Sequence, residues 1–302
     1  MYINPQGKGE GMKPGIHQGI PMAQYLALDA LSSGLCNTLL QCSPFHAAWQ
    51  QKHRDEDASA ASDIGTAIHD VLLEGIDRIV PIDAPDWRTK AAKEAREQAR
   101  ANGGIPMLLH KVAQIDAAVK AAKAYIAGSE LAGVFDTGAP EQVMIWQEDG
   151  ALCKARPDWL TADHSVLLHV KTTSGSANPE SWIRNQLVNS GYDVACAFYE
   201  RGLSEARGAA LPKPPLSVFL VIEQNAPHGC SLVALSPAMM DLASRKVARA
   251  IDAWSACRSA NRWPAYPSRI AYAEPRNWDI QAEEEGAFRH FDEDELRGGI
   301  PL

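Results

Sequence analysis

Two strand-like stretches decide the fold of this chain: Ala151-Leu-Cys-Lys-Ala-Arg-Pro-Asp-Trp-Leu160 and Ser165-Val-Leu-Leu-His-Val-Lys171. The first follows Glu141-Gln-Val-Met-Ile-Trp146 and an Asp149-Gly150 pair, and Asp-Gly between two strand-like segments predicts a β-hairpin. The second is an apolar run typical of a central strand, and a turn at residues 161–163 leads into it. We therefore expect the ends of the two stretches to lie side by side.

The ends of these stretches carry residue types that a metal-dependent nuclease needs. Hydrolysis of a phosphodiester with the help of a hard divalent cation such as Mg²⁺ requires oxygen ligands, mostly carboxylates, and Asp158 can supply one. Lys171 lies two residues after His169, so both side chains share one face of the predicted strand. A lysine at this place can orient the nucleophile and stabilise the charge that develops on phosphorus.

An ordered series of separated motifs resembles the PD-(D/E)XK nucleases, and more narrowly the phage and prophage exonucleases of the exodeoxyribonuclease VIII (RecE) type. The series covers roughly residues 22–270 and consists of Tyr25-Leu-Ala-Leu-Asp-Ala-Leu-Ser-Ser-Gly-Leu35, Ser43-Pro-Phe-His46, Gly65-Thr-Ala-Ile-His69, Lys154-Ala-Arg-Pro-Asp158, Val170-Lys-Thr-Thr173, Tyr192-Asp-Val-Ala-Cys-Ala-Phe-Tyr199 and Arg262-Trp-Pro-Ala-Tyr266. A Pro-Asp or an X-Lys alone is weak support for a family, whereas this order of motifs is specific.

The resemblance implies a role for each matching residue. His69 corresponds to the family's histidine metal ligand, Asp158 to its invariant aspartate and Lys171 to its catalytic lysine. Val170 would offer a backbone carbonyl to the metal, and Glu141 is a candidate for an additional carboxylate close to it. The implied cofactor is Mg²⁺, with Mn²⁺ as an alternative.

Two positions depart from the family pattern. His169 stands where the second metal-binding carboxylate is expected, and Ala195 stands where a glutamine commonly follows the tyrosine. A neutral imidazole carries no negative charge and favours softer ions than Mg²⁺. Three hypotheses follow: His69, Asp158 and His169 hold a transition metal and act in catalysis with Lys171; Asp193 or Glu141 supplies the missing carboxylate; or the domain binds DNA without cutting it.

The resemblance to PD-(D/E)XK nucleases implies an α/β domain with a restriction-endonuclease-like core. We expect a central mixed sheet of about four to six strands flanked by helices, and a helical N-terminal region that forms one wall of a cleft. Further elements predicted from periodicity and capping are helices over residues 62–73, 179–199 (bent near Gly191) and 238–257, and strands over residues 216–223 and 230–235. The six scattered cysteines indicate neither a zinc ribbon nor a disulfide framework.

Composition divides the chain of 302 residues into three segments. Residues 1–20 have little apolar content and are expected to be mobile, residues 21–270 form the exonuclease-like domain, and residues 271–302 form an acidic tail. The formal net charge is −8, but nine acidic residues and only three arginines lie between Glu274 and Arg297. The negative net charge of the whole chain therefore does not exclude a local phosphate-binding surface.

Two regions are candidates for contact with DNA. Lys93, Arg96 and Arg100 line one face of a predicted helix, although a solvated helix with internal ion pairs is the alternative. Arg184, Gln186 and Tyr192 follow the catalytic strands, and packing in the core is the alternative for the tyrosine.

The resemblance also implies partners and biology. Its members are toroidal homo-oligomers that degrade one strand from the ends of double-stranded DNA and pass the other strand to a single-strand-annealing recombinase. A noncatalytic DNA-binding or recombinase-docking protein is the main alternative, and a nuclease module serving a helicase or a CRISPR adaptation complex is a third. No apolar run is long enough to span a membrane and no secretory signal is apparent, so the cytoplasm is the expected location.

Overall fold

A computed structural model describes residues 12–53, 63–208 and 213–284 of the chain. Its strands are β1 Gly15–His17, β2 Ile79–Ile82, β3 Ile105–Leu108, β4 Ala139–Pro140, β5 Val143–Glu148, β6 Ala151–Ala155, β7 Trp159–Leu160, β8 Val166–Thr173, β9 Leu216–Glu223 and β10 Cys230–Ala234. Its helices are α1 Met22–Ala27, α2 Ser33–Gln41, α3 Pro44–Lys52, α4 Asp63–His69, α5 Lys90–Ala101, α6 Leu109–Ala127, α7 Pro179–Trp182, α8 Tyr192–Arg207, α9 Pro237–Ala260 and α10 Asn277–Glu284. Helices α4 and α7 each continue into a π-helical turn, Asp70–Glu74 and Ile183–Leu187.

The central sheet has five strands in the order β10-β9-β8-β7-β4. Strands β8 and β9 are parallel, and the other neighbouring pairs are antiparallel. A parallel pair needs a long crossover, and α7 and α8 provide it between β8 and β9. The prediction of a mixed sheet of four to six strands flanked by helices is confirmed.

The predicted hairpin forms around Asp149 and Gly150, which both adopt positive φ angles. It belongs to a second sheet, of three strands in the order β1-β5-β6. The stretch predicted as one strand over residues 151–160 is divided, because Pro157 has no N–H to donate and the ladder stops before it. Strand β6 pairs in the three-stranded sheet and β7 in the central sheet, so the chain crosses between sheets at residues 156–158.

One face of strand β8 packs against helix α4. Leu168 and Val170 pack in a core cluster with Ala67 and Ile68 of helix α4. Gly65 allows that helix to approach closely, since a Cβ there would lie 2.8 Å from Oγ1 of Thr172. This close contact places the end of α4 beside the end of β8.

The structure describes part of the chain at each end. Residues 1–11 lie outside the described part of the chain, and Gly15–His17 pair with β5 instead of forming part of a mobile segment. The first compact unit extends to Ala265, and a second unit begins at Tyr266 and contains α10 within the segment predicted as an acidic tail. None of the described helices is both long and apolar enough to cross a membrane.

Candidate active site

Two carboxylates lie where the chain passes between the sheets. Glu141 lies between β4 of the central sheet and β5 of the three-stranded sheet, and Asp158 lies on the return path from β6 to β7. The backbone N–H of Glu141 donates to the carbonyl of Asp158 at 3.2 Å. Glu141 has a φ of 56°, in the left-handed region that costs a non-glycine residue about 1 kcal/mol or more. The two crossovers therefore hold the carboxylates side by side at the expense of local strain.

Helix α4 adds an imidazole to this pair. Nε2 of His69 lies 3.2 Å from Oε1 of Glu141 and 3.4 Å from Oδ1 of Asp158. One donor atom from each of the three residues lies within 4.8 Å of the others. Their side chains keep 22%, 14% and 18% of their surface exposed, so the cluster is accessible from solvent. We call His69, Glu141 and Asp158 the donor cluster.

Strand β8 supports Asp158 from the other side. The backbone N–H of Val170 donates to Oδ2 of Asp158 at 2.6 Å, and Nζ of Lys171 lies 3.8 Å from the same oxygen. The ends of the two stretches thus lie side by side, as their sequence predicts. A contact between the Val170 carbonyl and a metal stays a prediction.

The donor cluster fits a divalent cation of intermediate hardness. Two carboxylates supply the negative charge and oxygen ligands that Mg²⁺ and Mn²⁺ prefer, and the imidazole adds a nitrogen that suits Mn²⁺ better than Mg²⁺. A second donor set, His69, Asp70 and Glu74, shares the histidine. Asp70 is buried and already pairs with Arg78 at 2.6 Å, so it is less suited to bind a cation.

The charges in the cluster interact strongly. Burial alone would raise the pKa of Asp158, but Lys171, His69 and His169 together hold it well below its usual value. Burial would lower the pKa of His69, but its hydrogen bond to Asp158 and the nearby acids raise it overall. Burial, with the charge of Asp158, raises the pKa of Glu141 despite the opposing effects of Arg156 and His69. Asp158 is therefore the more acidic of the two carboxylates in the donor cluster.

His169, predicted as a catalytic residue and metal ligand, is not brought into the donor cluster. It is 3% exposed, its Nε2 lies 3.0 Å from Oγ of Ser217, and its ring packs against Tyr199 and Phe219. Burial lowers its pKa to about 4. His169 belongs to no three-residue donor set within residues 12–53, 63–208 and 213–284. The imidazole at this position is thus a neutral, hydrogen-bonded group of the interior.

Of the two proposed substitutes for the missing carboxylate, the structure places only one at the cluster. Asp193 is 1% exposed and pairs with Lys246 at 2.6 Å, in a separate part of the fold between α8 and α9. Glu141 contacts His69 directly. The carboxylate beside His69 therefore belongs to the β4–β5 crossover and not to strand β8.

The residues predicted to contact DNA lie in two regions. Arg96 and Arg100 both pair with Asp63, at 3.3 and 3.1 Å, and the Arg96 guanidinium lies over the Trp87 ring. Lys93 is exposed on the same helix, α5. The pairing with Asp63 leaves less charge for phosphate than the sequence alone indicates.

The second region lies beside Lys171. Arg184 and Gln186 are exposed on the π-helical turn after α7. Tyr192 stacks on Trp182, and the Lys171 ammonium lies 5.5 Å from its ring centre. Tyr192 thus packs on Trp182 and also lies near the Lys171 ammonium, whereas its contact with DNA stays a prediction.

Sequence reasoning assigned no role to Arg156 and Lys154. Nε of Arg156 donates to Oε2 of Glu141, and Lys154 is 1% exposed with its ammonium hydrogen-bonded to backbone carbonyls. Their spacing could have indicated a shared role. Lys154 and Arg156 are two residues apart just before Pro157 and Asp158, so an extended chain directs both side chains to the same side.

Comparisons with known proteins agree with this fold. A family model described as "PDDEXK-like domain of unknown function (DUF3799)" matches residues 32–275. The crystal structure of a "Putative exonuclease" from Eubacterium rectale matches with a TM-score of 0.53 and 12% sequence identity, covering 88% of this chain and 99% of that one. No match was found among the curated proteins. With its central mixed sheet and its carboxylates at the sheet crossovers, the chain belongs to the PDDEXK-like family DUF3799, within the PD-(D/E)XK nuclease superfamily.

Proposed function

We propose that this protein is a divalent-metal-dependent deoxyribonuclease that hydrolyses phosphodiesters at the ends of double-stranded DNA. The observation that carries the proposal is the convergence of His69, Glu141 and Asp158 on one accessible point, with Lys171 beside them. The E. rectale structure with the same fold carries the description "Putative exonuclease", and action at DNA ends is part of our proposal for this chain.

The donor cluster would hold the cation. When bound, a divalent cation neutralises charge on the scissile phosphate and makes a nearby water more acidic. The Val170 N–H donates to Asp158 and fixes the orientation of its carboxylate, and the lowered pKa keeps this carboxylate ionised at physiological pH. Glu141 supplies the second negative charge, so two carboxylates face the cation as in other sites for hard ions.

Lys171 acts on the substrate side of the site. Its ammonium lies beside Asp158 and above the Tyr192 ring, and 30% of its side chain is exposed. A cation at this place can orient the attacking water and stabilise the additional negative charge of the transition state. Exposed Arg184 and Gln186, on the turn that follows α7, are proposed to contact the DNA backbone, as is Lys93 on α5.

The test compares linear and covalently closed circular duplexes of the same sequence. We expect end-labelled linear DNA to be degraded with Mn²⁺ or Mg²⁺ and without ATP, while circular DNA survives. Lys171→Met should lose cleavage but bind DNA nearly as well as the wild type, because phosphate contacts are distributed over many groups. Equal degradation of circular DNA would contradict action at ends, and full activity of Lys171→Met would show that the site is misassigned.

A second candidate function is DNA binding without cleavage. It is favoured by His169, which leaves strand β8 without the carboxylate usual in this superfamily. Shifted but intact DNA with every metal tested would select this alternative. In either case we propose that a single-strand-annealing recombinase uses the product or the complex, and that the protein works as a homo-oligomer. Co-purification with such a recombinase and the mass of the particle in solution test these two points.

A further inference from the structure

We propose that Arg156 is a positioning residue that holds Glu141 in the donor cluster and joins it to residues 20–28, here called the N-terminal segment. The inference rests on the proposed function, since it concerns the same cation site. It assigns a role to a residue outside the donor cluster.

Arg156 binds Glu141 and the N-terminal segment at once. Its Nε donates to Oε2 of Glu141, and its Nη1 donates to the Ile20 carbonyl at 3.2 Å and contacts Sδ of Met22 at 3.8 Å. Both side chains of the Arg156–Glu141 pair are largely buried, at 13% and 14% exposed. An arginine suits this role because its planar guanidinium presents several donors in fixed directions.

The pairing determines which oxygen of Glu141 faces the cluster. Oε2 is occupied by Arg156, whereas Oε1 lies 3.2 Å from Nε2 of His69. Glu141 needs such support because its backbone is already in the left-handed region and its side chain is not held within a regular strand. Without the guanidinium, rotation of the carboxylate out of the cluster becomes possible.

Lys154 fixes the N-terminal segment on the same side of β6. Its ammonium donates to the carbonyls of Tyr25, Leu26 and Leu28 at 2.7, 3.3 and 2.8 Å. These three bonds match the three donors of an ammonium group, which explains how a lysine with 1% exposure is tolerated. The Tyr25 ring also lies 4.7 Å from this ammonium and 5.9 Å from the Arg156 guanidinium.

The two basic residues therefore form one continuous connection. Lys154 holds the C-terminal end of helix α1, Arg156 holds the residues just before it, and Arg156 in turn holds Glu141. The N-terminal segment is thereby part of the support of the cation site, although it lies more than 110 residues earlier in the chain than Glu141. Loss of either basic residue should loosen the segment, and loss of Arg156 should also weaken the site.

The test measures Mn²⁺ affinity by calorimetry, in the absence of DNA, for the full chain and its variants. Arg201 provides a matched control, because it forms a comparable partly buried pair with Glu148 at the far end of the β5–β6 hairpin. We expect Arg156→Gln to weaken Mn²⁺ binding at least tenfold and Arg156→Lys to recover part of the loss. Arg201→Gln should bind Mn²⁺ within about twofold of the wild type.

A second measurement separates positioning from general stability. Hydrogen exchange of the amides of residues 20–28 should accelerate in Lys154→Met and Arg156→Gln but not in Arg201→Gln. Wild-type affinity in a folded Arg156→Gln variant, or an equal loss in Arg201→Gln, would overturn this inference alone. Absence of Mn²⁺ binding by the wild type would overturn both the inference and the proposed function.

Discussion

Glu141 and His169 make an instructive comparison, because the family pattern predicts a carboxylate at position 169, whereas a carboxylate lies beside His69 at position 141. His169 lies at the motif position of a metal-binding carboxylate, yet it is buried, neutral and hydrogen-bonded to Ser217. Glu141 lies outside that motif, between two strands, yet it contacts His69 and Arg156 in the donor cluster. The comparison teaches that a site can keep its charge while the residue that supplies it moves to another element.

The largest effect on cleavage is expected from substitution of Asp158, which is needed whether Glu141 or residue 169 supplies the second carboxylate. Asp158→Asn removes the more acidic carboxylate of the donor cluster and should reduce cleavage by about 1,000-fold, the upper range for loss of one group that stabilises transition-state charge. Initial rates on end-labelled duplex with Mn²⁺ measure it. Asp163→Asn, at an exposed turn, serves as the control and should cleave normally. Substantial activity in Asp158→Asn would remove the basis of the comparison.

Glu141 and His169 can be compared directly by making the same substitution at each. Glu141→Gln should weaken Mn²⁺ binding at least about tenfold, or ~1.4 kcal/mol, because an amide carries no charge. His169→Gln can keep a hydrogen bond to Ser217 and should bind Mn²⁺ within about twofold of the wild type. Calorimetry on both proteins decides the matter. The opposite result would assign the ligand role to His169.

His169→Asp should partly restore the motif usual in the superfamily. A carboxylate placed in this interior site, near Asp158, should lower stability by about 2 kcal/mol in the absence of metal. Mg²⁺ should recover part of that loss, since a ligand that binds only the folded state stabilises it. Thermal unfolding with and without Mg²⁺ measures both effects, and cleavage with Mg²⁺ should rise several-fold. Unfolding that is insensitive to Mg²⁺ would show that position 169 cannot reach the cation.

The smallest effect concerns Glu200, on the helix that covers His169 and Ser217. Burial raises the pKa of Glu200 from its ordinary value of 4.5 to about 7, although the Ser217 backbone opposes the shift. The folded state then retains a proton that the unfolded state releases, so this contribution to stability is present below pH 4.5 and lost as the pH rises to about 7. Glu200→Gln should remove the loss and be more stable than the wild type at pH 8 by about 1 kcal/mol. Urea unfolding at pH 4.5 and pH 8 measures the difference, and parallel pH profiles for the two proteins would contradict it.

Regular elements were the most predictable part of the molecule. The hairpin around Asp149 and Gly150, strand β8 and helix α9 follow from local turn chemistry, apolar patterning and capping, and the structure contains all three. The division of residues 151–160 was missed because β6 and β7 join different sheets, which depends on partners distant in the chain. Strand β1 was missed for the same reason, since its three residues are stabilised by pairing with β5.

The candidate site was predictable in its members but not in their arrangement. Asp158, Lys171 and His69 were identified from motifs, and the structure places them together. Arg96 and Arg100 were grouped with Lys93 by helical spacing, but Asp63 on another helix pairs with both arginines. Spacing along a helix cannot show which opposite charge another element will bring.

The sequence by itself determined the hairpin around Asp149 and Gly150, strand β8, the order of the motifs and the identity of the aspartate, lysine and histidine, because these depend on local periodicity and residue chemistry. Only the tertiary structure decided that Glu141 lies beside His69 and that His169 is a buried, hydrogen-bonded group. Both outcomes depend on the two crossings between sheets and on contacts from residues far away in the chain, such as Arg156 and Ser217. Burial and pairing set the charge of a side chain, and these become known only when the chain has folded.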